Sequence, residues 1–483
     1  MRVSRRTLLA GGVASLATRA WADAPLSSLR PMARPPITVA NLVKEAGLSG
    51  QTVVYVTDLA DGSVLADVDA RVVLPPASVT KAVTALYAIE ALGTDFRFTT
   101  GVYTTAPVTD GILEGDIILA GGGNPNLVTD DLAALAQTLK ETGLREVRGD
   151  FYVWDDALRN VDEIDSSQLD YIGYNPSVTG LNLNFNRVHF EWKRQDVDFV
   201  TTMDARSERY RPEVTTAKIT VVDRPSPVFT YADVGDVDEW TVARRALNAE
   251  GSRWLPVRHP ALYAGEVFAT FARSHGIVLK AAQETATEPT GAPLAIHQSR
   301  TLNDLMRSML RFSTNLTAEA AGLTATGAAS GHRRGLRTSA LHMARWADRR
   351  CGGITPYFVD HSGLGDQSRV SPADMVKLLS ANGVRDALLP VLHTISVSDG
   401  NDGVINTPGV SVRAKTGTLN FVSTLAGYIN TADNRSLAFA IFSADLNARA
   451  EGKRDGRENP PGARGWSRRA RALQQRILRQ LVT

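Results

Sequence analysis

Apolar residues along this chain fall into two kinds of run, which together predict a mixed helix-and-strand fold. Runs with helical spacing occupy 78–92, 302–311, 317–323 and 371–379, and Gly93 and Gly383 are the expected stops of two of them. Shorter runs that are rich in apolar and β-branched residues occupy 422–429 and 436–443 and predict strands. The pattern predicts an α/β (α+β) domain in which helices cover a sheet.

The middle of the chain has a different pattern, made of many short apolar or alternating segments. Examples are 112–119, 150–153 and 214–222, and they predict a mostly-β region. Polar stretches that contain proline, near Thr105 and over 288–293, mark its borders. We therefore expect residues 101–293 to be inserted between two parts of one domain, 23–100 and 294–483.

The last segment of the chain predicts an amphipathic helix. Trp466, Ala470, Leu473, Ile477 and Leu481 recur along one face, and arginines occupy much of the remaining surface. We expect the apolar face to pack on the sheet, because the strands that precede this helix need a cover. Weak contact with an anionic membrane surface is the alternative.

Residues 1–22 predict a twin-arginine-type export signal. Arg5 and Arg6 precede an apolar stretch that ends at Ala17, and Ala-Trp-Ala over 20–22 is a cleavage site of the usual small-residue type. The apolar stretch is too short to span a membrane and no other long one follows, so no transmembrane anchor is expected. We predict cleavage after Ala22 and a location in the periplasm.

Composition argues against some kinds of partner and site but does not identify a function. The net charge of +2 gives no reason to expect a nucleic-acid partner. Cys351 is the only cysteine, so no internal disulfide is expected even in an oxidising compartment. The eight histidines do not show the spacing of a zinc site, and we expect neither a metal nor a cofactor.

Three short motifs in a telling order carry the candidate chemistry. Ser-Val-Thr-Lys occupies 78–81, Ser-Thr-Asn occupies 313–315 and Lys-Thr-Gly occupies 415–417. A second Ser-x-Asn, at 380–382, ends a predicted helix and is interpreted as a helix stop. Only nine of the 53 basic residues are lysines, so two lysines would seldom fall in these positions by chance. The motif set resembles that of penicillin-binding proteins and serine β-lactamases.

Ser78 is the predicted nucleophile and Lys81 its general base. Prolines precede Ala77, so Ser78 is expected at a helix start, with Lys81 one turn later on the same face. A lysine can lose its proton, whereas an arginine stays charged. Burial and a second ammonium, that of Lys415, would lower the pKa of Lys81. Free N–H groups at the helix start would favour developing negative charge.

Ser313 and Asn315 are expected to complete the proton path. They lie between two predicted helices, where a short loop can aim a hydroxyl and an amide into a cleft. We expect Ser313 to relay a proton between Lys81 and the leaving amine. Asn315 is expected either to hydrogen-bond the substrate backbone or to hold Lys81.

The Lys-Thr-Gly motif begins a strand-rich segment and predicts an edge on which an extended peptide can dock. Gly417 would let the substrate approach the backbone closely. The N–H groups of Ser78 and Thr418 are expected to form an oxyanion hole. Lys415 and the hydroxyls of Thr416 and Thr418 are expected to hold a terminal carboxylate.

Further strings carry a family resemblance. The first two motifs are 235 residues apart (313 − 78), Gly-Gly-Gly-Asn-Pro-Asn-Leu occupies 121–127 and Leu-Asn-Leu-Asn occupies 181–184. With Val-Arg-Ala-Lys-Thr-Gly-Thr-Leu over 412–419, the mature chain resembles the D-alanyl-D-alanine carboxypeptidase/endopeptidase family of low-molecular-mass class C penicillin-binding proteins. His361 and Gly365 depart from the family's Asp-Gly-Ser-Gly-Leu-Ser string, and 165–174 differs too, so a different side-chain preference is expected.

The resemblance implies a β-lactamase/transpeptidase-like catalytic domain over 23–100 and 294–483. It implies that the insertion, 101–293, consists of two small subdomains. It also implies a serine D,D-peptidase that cleaves D-Ala-D-Ala stem peptides and peptide crosslinks of peptidoglycan and is inhibited by β-lactam antibiotics. Two alternatives stay open: a serine β-lactamase or esterase on the same core, and a non-catalytic peptidoglycan-binding protein.

Overall fold

The structure is a computed structural model that describes residues 38–401 and 403–482. The predicted export signal lies outside these residues. The helices are α1 (Val39–Ala46), α2 (Thr80–Leu92), α3 (Thr129–Glu141), α4 (Pro260–Ser274), α5 (Leu302–Phe312), α6 (Asn315–Ser330), α7 (Leu336–Cys351), α8 (Pro372–Leu379), α9 (Val384–Leu388), α10 (Leu446–Arg454) and α11 (Ala463–Val482).

The strands follow the same chain order. They are β1 (Gln51–Asp58), β2 (Val64–Val68), β3 (Thr99–Thr104), β4 (Val108–Thr109), β5 (Ile112–Leu113), β6 (Ile117–Gly121), β7 (Glu146–Val147), β8 (Phe151–Trp154), β9 (Arg187–Gln195), β10 (Asp198–Asp204), β11 (Ala217–Val222), β12 (Phe229–Asp233), β13 (Asp238–Ala243), β14 (Glu250–Pro256), β15 (Ala282–Glu284), β16 (Ala295–Gln298), β17 (His393–Thr394), β18 (Ser411–Leu419), β19 (Val422–Asn430) and β20 (Ser436–Ala444).

A six-stranded antiparallel sheet joins the two ends of the chain. Its order is β17-β18-β19-β20-β1-β2, so the first strand of the chain lies beside the last. Strands β1 and β20 pair without interruption, from Gln51 opposite Ala444 to Asp58 opposite Leu437. The sheet confirms the predicted antiparallel sheet built from chain segments on both sides of the middle region.

Helices cover both faces of this sheet. Along β20, Phe439 and Ile441 belong to the core shared with α1 and α11, whereas Ala440 and Phe442 belong to the core shared with α2 and α5 to α9. Successive side chains of a strand point to opposite faces, so a strand with two covered faces has apolar residues at every position. This is why β20 appears in the sequence as a continuous apolar run.

Helix α2 passes through the centre of the domain. A short 3₁₀ turn over Ala77–Val79 leads into it, and Gly93, with φ 82°, ends it where the sequence predicted a stop. Nine consecutive residues from its start, 80–88, are buried. A helix that is apolar on all sides belongs inside the protein, and the first turn of α2 therefore carries Lys81 into the core.

Residues between the two predicted borders have their own hydrophobic core and are mostly β, as predicted. They supply β15, β8, β6 and most of β3 in a five-stranded sheet, β15-β8-β6-β3-β16, together with three smaller sheets of three strands each. Strand β3 begins at Thr99 and β16 begins at Ala295, so the five-stranded sheet uses residues on both sides of the predicted borders. The borders at 101 and 293 and the division into two subdomains stay predictions.

Helix α11 packs on the core along its apolar face. Leu473 and Ile477 are buried between the helix and the sheet. Trp466 is 1% exposed, contacts Phe421, and its indole N–H donates a hydrogen bond to the Ser49 carbonyl at 3.0 Å. Within the described residues, every helix is too short or too polar to cross a membrane.

Replacing Ile477 by alanine should lower the free energy of unfolding by about 2–5 kcal/mol, because its buried side chain would leave a cavity. Arg469→Ala, on the exposed side of the same helix, should change it by less than about 0.5 kcal/mol. Urea unfolding followed by circular dichroism measures both. Equal effects of the two substitutions would contradict the packing of α11 on the sheet.

Candidate active site

Three segments that are far apart in the sequence meet at one place. Ser78 lies in the 3₁₀ turn before α2, and Lys81 lies in the first turn of that helix. Ser313 ends α5, Asn315 begins α6, and Lys415 lies in β18. Hydrogen bonds link these five side chains into two groups, one on each ammonium.

The Lys81 ammonium is completely buried and has three acceptors. Its Nζ donates to Ser78 Oγ at 3.0 Å, to Asn315 Oδ1 at 2.7 Å and to the Ser362 carbonyl at 2.7 Å. An ammonium has three N–H donors, so all of them are satisfied. Burial, followed by the charge of Lys415, lowers the pKa of Lys81 to about 7.

The lowered pKa allows Lys81 to accept a proton near neutral pH. Near neutral pH a substantial fraction of Lys81 is neutral, and its lone pair can then accept the Ser78 hydroxyl proton across the 3.0 Å contact. The two other acceptors, on Asn315 and Ser362, hold the amine in place during this exchange. The arrangement is that of an activated serine with an amine as general base.

Lys415 holds Ser313 on the other side of the cleft. Its Nζ donates to Ser313 Oγ at 3.0 Å and to the Thr416 carbonyl at 2.7 Å, and burial lowers its pKa to about 8. Ser313 has φ 60°, a left-handed conformation that residues other than glycine adopt at a cost. The turn aims the Ser313 hydroxyl at Lys415, and the relay expected between Lys81 and the leaving amine stays a prediction.

Asn315 holds Lys81, which is one of the two roles expected for it. Its Oδ1 accepts from Lys81, and its Nδ2 donates to the Tyr174 carbonyl at 2.7 Å. The motif analysis missed Tyr174, which lies in the middle region of the chain. A backbone carbonyl is present at every residue, so no residue type signals this contact.

Gly417 lies against the turn that carries Ser78. A Cβ atom at this position would lie 2.1 Å from Thr424 Oγ1, 2.9 Å from the Pro76 carbonyl and 3.0 Å from the Ser78 nitrogen. Thr424 also donates a hydrogen bond to the Pro76 carbonyl at 2.7 Å. Glycine is therefore required at position 417 so that β18 can contact the turn that carries Ser78. This requirement is independent of the approach of a substrate.

The outer edge of β18 is open beside the serine. Strand β17 pairs with β18 only at Arg413 and Ala414, so within the described residues no strand covers that edge over 415–419. Thr418 lines a cavity of about 640 Å³ together with Ser78, Ser313 and Asn315. Thr416 has an exposed side chain outside this lining and contributes its carbonyl to Lys415.

Two buried carboxyl groups support the loop behind Lys81. Glu319 accepts hydrogen bonds from the backbone N–H groups of His361 and Ser362, each at 2.8 Å. Asp360 accepts from the N–H of Gly363 at 2.6 Å. Burial, and then the neighbouring Asp360, raises the pKa of Glu319 to about 8. These contacts fix the Ser362 carbonyl that holds Lys81. Glu319 is the one acid in the small-residue run of α6.

His361, one of the departures from the family string, is a packing residue. Its ring lies against Gly322, where a Cβ atom would approach the ring to 2.2 Å, and its Nε2 is 2.8 Å from Ser339 Oγ. Burial lowers its pKa to about 3, so the imidazole is neutral. It faces away from the cavity, which is lined here by Gly363 and Leu364 instead.

Known sequences that are similar to this chain include one peptidase family and two carboxypeptidases. Residues 37–460 match the D-Ala-D-Ala carboxypeptidase 3 (S13) family. A D-alanyl-D-alanine carboxypeptidase of Actinomadura sp. (strain R39) is 30% identical over 439 residues, which is 83% of this chain and 78% of that protein. D-alanyl-D-alanine carboxypeptidase DacB of Haemophilus influenzae is 24% identical over 435 residues, which is 84% of this chain and 88% of that protein.

Solved structures share the fold. Penicillin binding protein 4 (dacB) of Haemophilus influenzae superposes with a TM-score of 0.71 at 21% identity, covering 91% of this chain and 99% of that one. The same protein complexed with a β-lactam gives a TM-score of 0.70 at 20% identity, with the same coverage.

Glu319→Gln should lower the free energy of unfolding by about 1–3 kcal/mol, because an amide NH₂ would face one of the two backbone N–H donors and leave it unsatisfied. Glu208→Gln is the matched control, since Glu208 is exposed. Urea unfolding at about pH 9, above the pKa of about 8 of Glu319, compares the two. An unchanged midpoint for Glu319→Gln would contradict the support of the loop by this carboxyl group.

Proposed function

Because the chain belongs to the D-Ala-D-Ala carboxypeptidase 3 (S13) family, we propose that it is a periplasmic serine D,D-peptidase that acts through an acyl-enzyme on Ser78. Its substrates are D-Ala-D-Ala stem peptides and peptide crosslinks of peptidoglycan. The observation that carries the proposal is the 3.0 Å contact between Ser78 Oγ and the Nζ of Lys81, whose pKa burial lowers to about 7.

The first step forms the acyl-enzyme. Neutral Lys81 accepts the Ser78 proton as Oγ attacks the carbonyl carbon of the penultimate D-Ala. The carbonyl oxygen becomes an oxyanion, which the N–H groups of Ser78 and Thr418 stabilise. Gly417 keeps these two segments close together, since no side chain separates β18 from the serine turn.

The second step breaks the peptide bond. The leaving nitrogen takes a proton from the Ser313 hydroxyl, which accepts a hydrogen bond from Lys415. Ser313 takes in return the proton that Lys81 removed from Ser78, so that Lys81 is neutral again. The C–N bond then breaks and releases D-Ala or the crosslinked amine. Water attacks the Ser78 ester carbonyl while Lys81 accepts the water proton, the bond between the acyl carbon and Ser78 Oγ breaks, and Lys81 returns the proton to Oγ, which restores the serine and releases the carboxylic acid.

Substrate docking uses the open edge of β18. An extended peptide adds to this edge by backbone hydrogen bonds, which places its cleaved carbonyl beside Ser78. The third N–H of Lys415, with the Thr416 and Thr418 hydroxyls, attracts the terminal carboxylate. A β-lactam presents an acyl group and a carboxylate in the same way, which is consistent with the β-lactam complex of the Haemophilus influenzae relative.

The proposal extends to the whole chain. Residues 1–22 are the export signal, 23–100 and 294–483 are the catalytic domain, and 101–293 are the insertion. Support for a role of the insertion in the site comes from the Tyr174 carbonyl, which holds Asn315.

Ser78→Ala should abolish covalent labelling by benzylpenicillin, because Ser78 is the hydroxyl that contacts Lys81, the amine with the lower pKa of the two in this site. Intact-protein mass spectrometry should detect one drug adduct on the wild type and none on Ser78→Ala. Ser380→Ala, in the second Ser-x-Asn of the chain, should keep the adduct. An adduct on Ser78→Ala, or retained peptidase activity, would disprove the assignment. Rapid drug hydrolysis without an adduct would favour a β-lactamase.

The value of kcat/KM for a D-Ala-D-Ala peptide should follow a bell-shaped pH profile. It should rise as pH increases through about 7, because neutral Lys81 is the base, and fall through about 8, because neutral Lys415 no longer attracts the carboxylate. A substrate whose terminal carboxylate is replaced by an amide should lack the alkaline fall. A profile that is flat from about pH 6 to 9 would contradict these roles.

A further inference from the structure

One wall of the active-site cavity is formed by three arginines of α11. Arg464, Arg468 and Arg471 line the same cavity as Ser78 and Thr418. Their spacing of four and three residues places them on one side of the helix, and all three are exposed. We call this set the arginine face. It extends about 10 Å along the helix axis, which is the length of about three residues of an extended peptide.

The arginine face lacks an internal counter-charge. No carboxylate of the described residues forms a salt bridge with any of its three members. Glu458, the only acid among the described cavity-lining residues, pairs with Arg253 at 3.0 Å. Arg449 also lines the cavity, but it is already paired with Asp366 at 2.6 Å.

The positions of the three arginines are unfavourable for the stability of α11. Like charges three and four residues apart repel each other on a helix surface. Arg464 also lies in the first turn of α11, at the positive N-terminal end of the helix, where a cation is unfavourable. A bound anion would remove both penalties, and arginine is the side chain best suited to bind a carboxylate, through paired hydrogen bonds.

The order of residues along β18 tells which part of the substrate reaches the arginine face. Lys415, proposed to attract the terminal carboxylate, lies at one end of the docking edge, and Leu419 lies at the other. Asn420 follows and donates to the Glu458 carbonyl at 3.0 Å, close to the start of α11. The arginine face is therefore on the acyl side, beyond the residues that precede the cleaved bond.

We propose, on the basis of the peptidase function above, that the arginine face is a subsite for carboxylates in the acyl part of the substrate. The chain then selects acidic stem peptides over peptides whose carboxylates are amidated. An anionic membrane surface is the other ligand that an arginine-rich helix face fits. The substrate is favoured because the three side chains line the cavity that contains Ser78.

The test compares two N-acetylated tetrapeptides that end in D-Ala-D-Ala and carry either two glutamates or two glutamines before it. Wild type should cleave the glutamate peptide with a kcat/KM at least about tenfold higher, mainly through KM, and added salt should reduce this ratio. In the triple variant R464Q/R468Q/R471Q the ratio should fall to about one. R469Q, on the same helix but outside the cavity lining, should keep the wild-type ratio.

Each outcome decides between distinct possibilities. Stoichiometric labelling of the triple variant by benzylpenicillin shows that it is folded. A wild type that is labelled but treats both peptides alike, or a triple variant that keeps the preference, overturns the subsite alone. Loss of binding to phosphatidylglycerol vesicles in the triple variant, with an unchanged peptide ratio, assigns the arginines to lipid. A wild type that is neither labelled nor active overturns the peptidase function as well.

Discussion

The burial of the Lys81 ammonium is the constraint on which the rest of the site depends. Moving an amine out of water is costly unless every donor finds an acceptor, and here the three acceptors come from Ser78, Asn315 and Ser362. They belong to the start of α2, the start of α6 and the loop before α8. A shift of any one of these elements would leave a buried donor unpaired, so the amine fixes their relative positions.

The same burial sets the chemistry, because four ionisable groups share one poorly hydrated region. The charge of Lys415 disfavours the charge of Lys81, whereas Glu319 and Asp360 favour it. The pKa of Lys81 is about 7 because burial and the Lys415 charge lower it by more than the two carboxyl groups raise it. Neither carboxyl group lines the cavity, yet both influence the titration of Lys81, the proposed general base.

The walls of the cleft come from parts of the chain that do not supply the chemistry. Tyr174 comes from the middle region and holds Asn315, while residues of α10 and α11 form one wall of the cavity. Arg449 of α10 is only 6% exposed and bridges Asp366 and the Asn420 carbonyl, which ties this wall to the end of β18. The proposed carboxylate subsite and the proposed nucleophile thus lie on different elements, α11 and the turn before α2.

The sequence by itself determined the features that depend on local spacing and residue type. One helical turn separates Ser78 from Lys81, so local geometry at the start of α2 brings them into contact. The apolar runs in the sequence predicted β19, β20 and α11, because side chains that are buried on the sheet are apolar. Only the tertiary structure decided what surrounds Lys81. Ser362 and Tyr174 make their contacts through backbone carbonyls, which every residue has, so no residue type in the sequence signals them. The position of the arginine face depends on how α11 packs. Such contacts arise between surfaces that are distant in the chain, and no local pattern encodes their pairing.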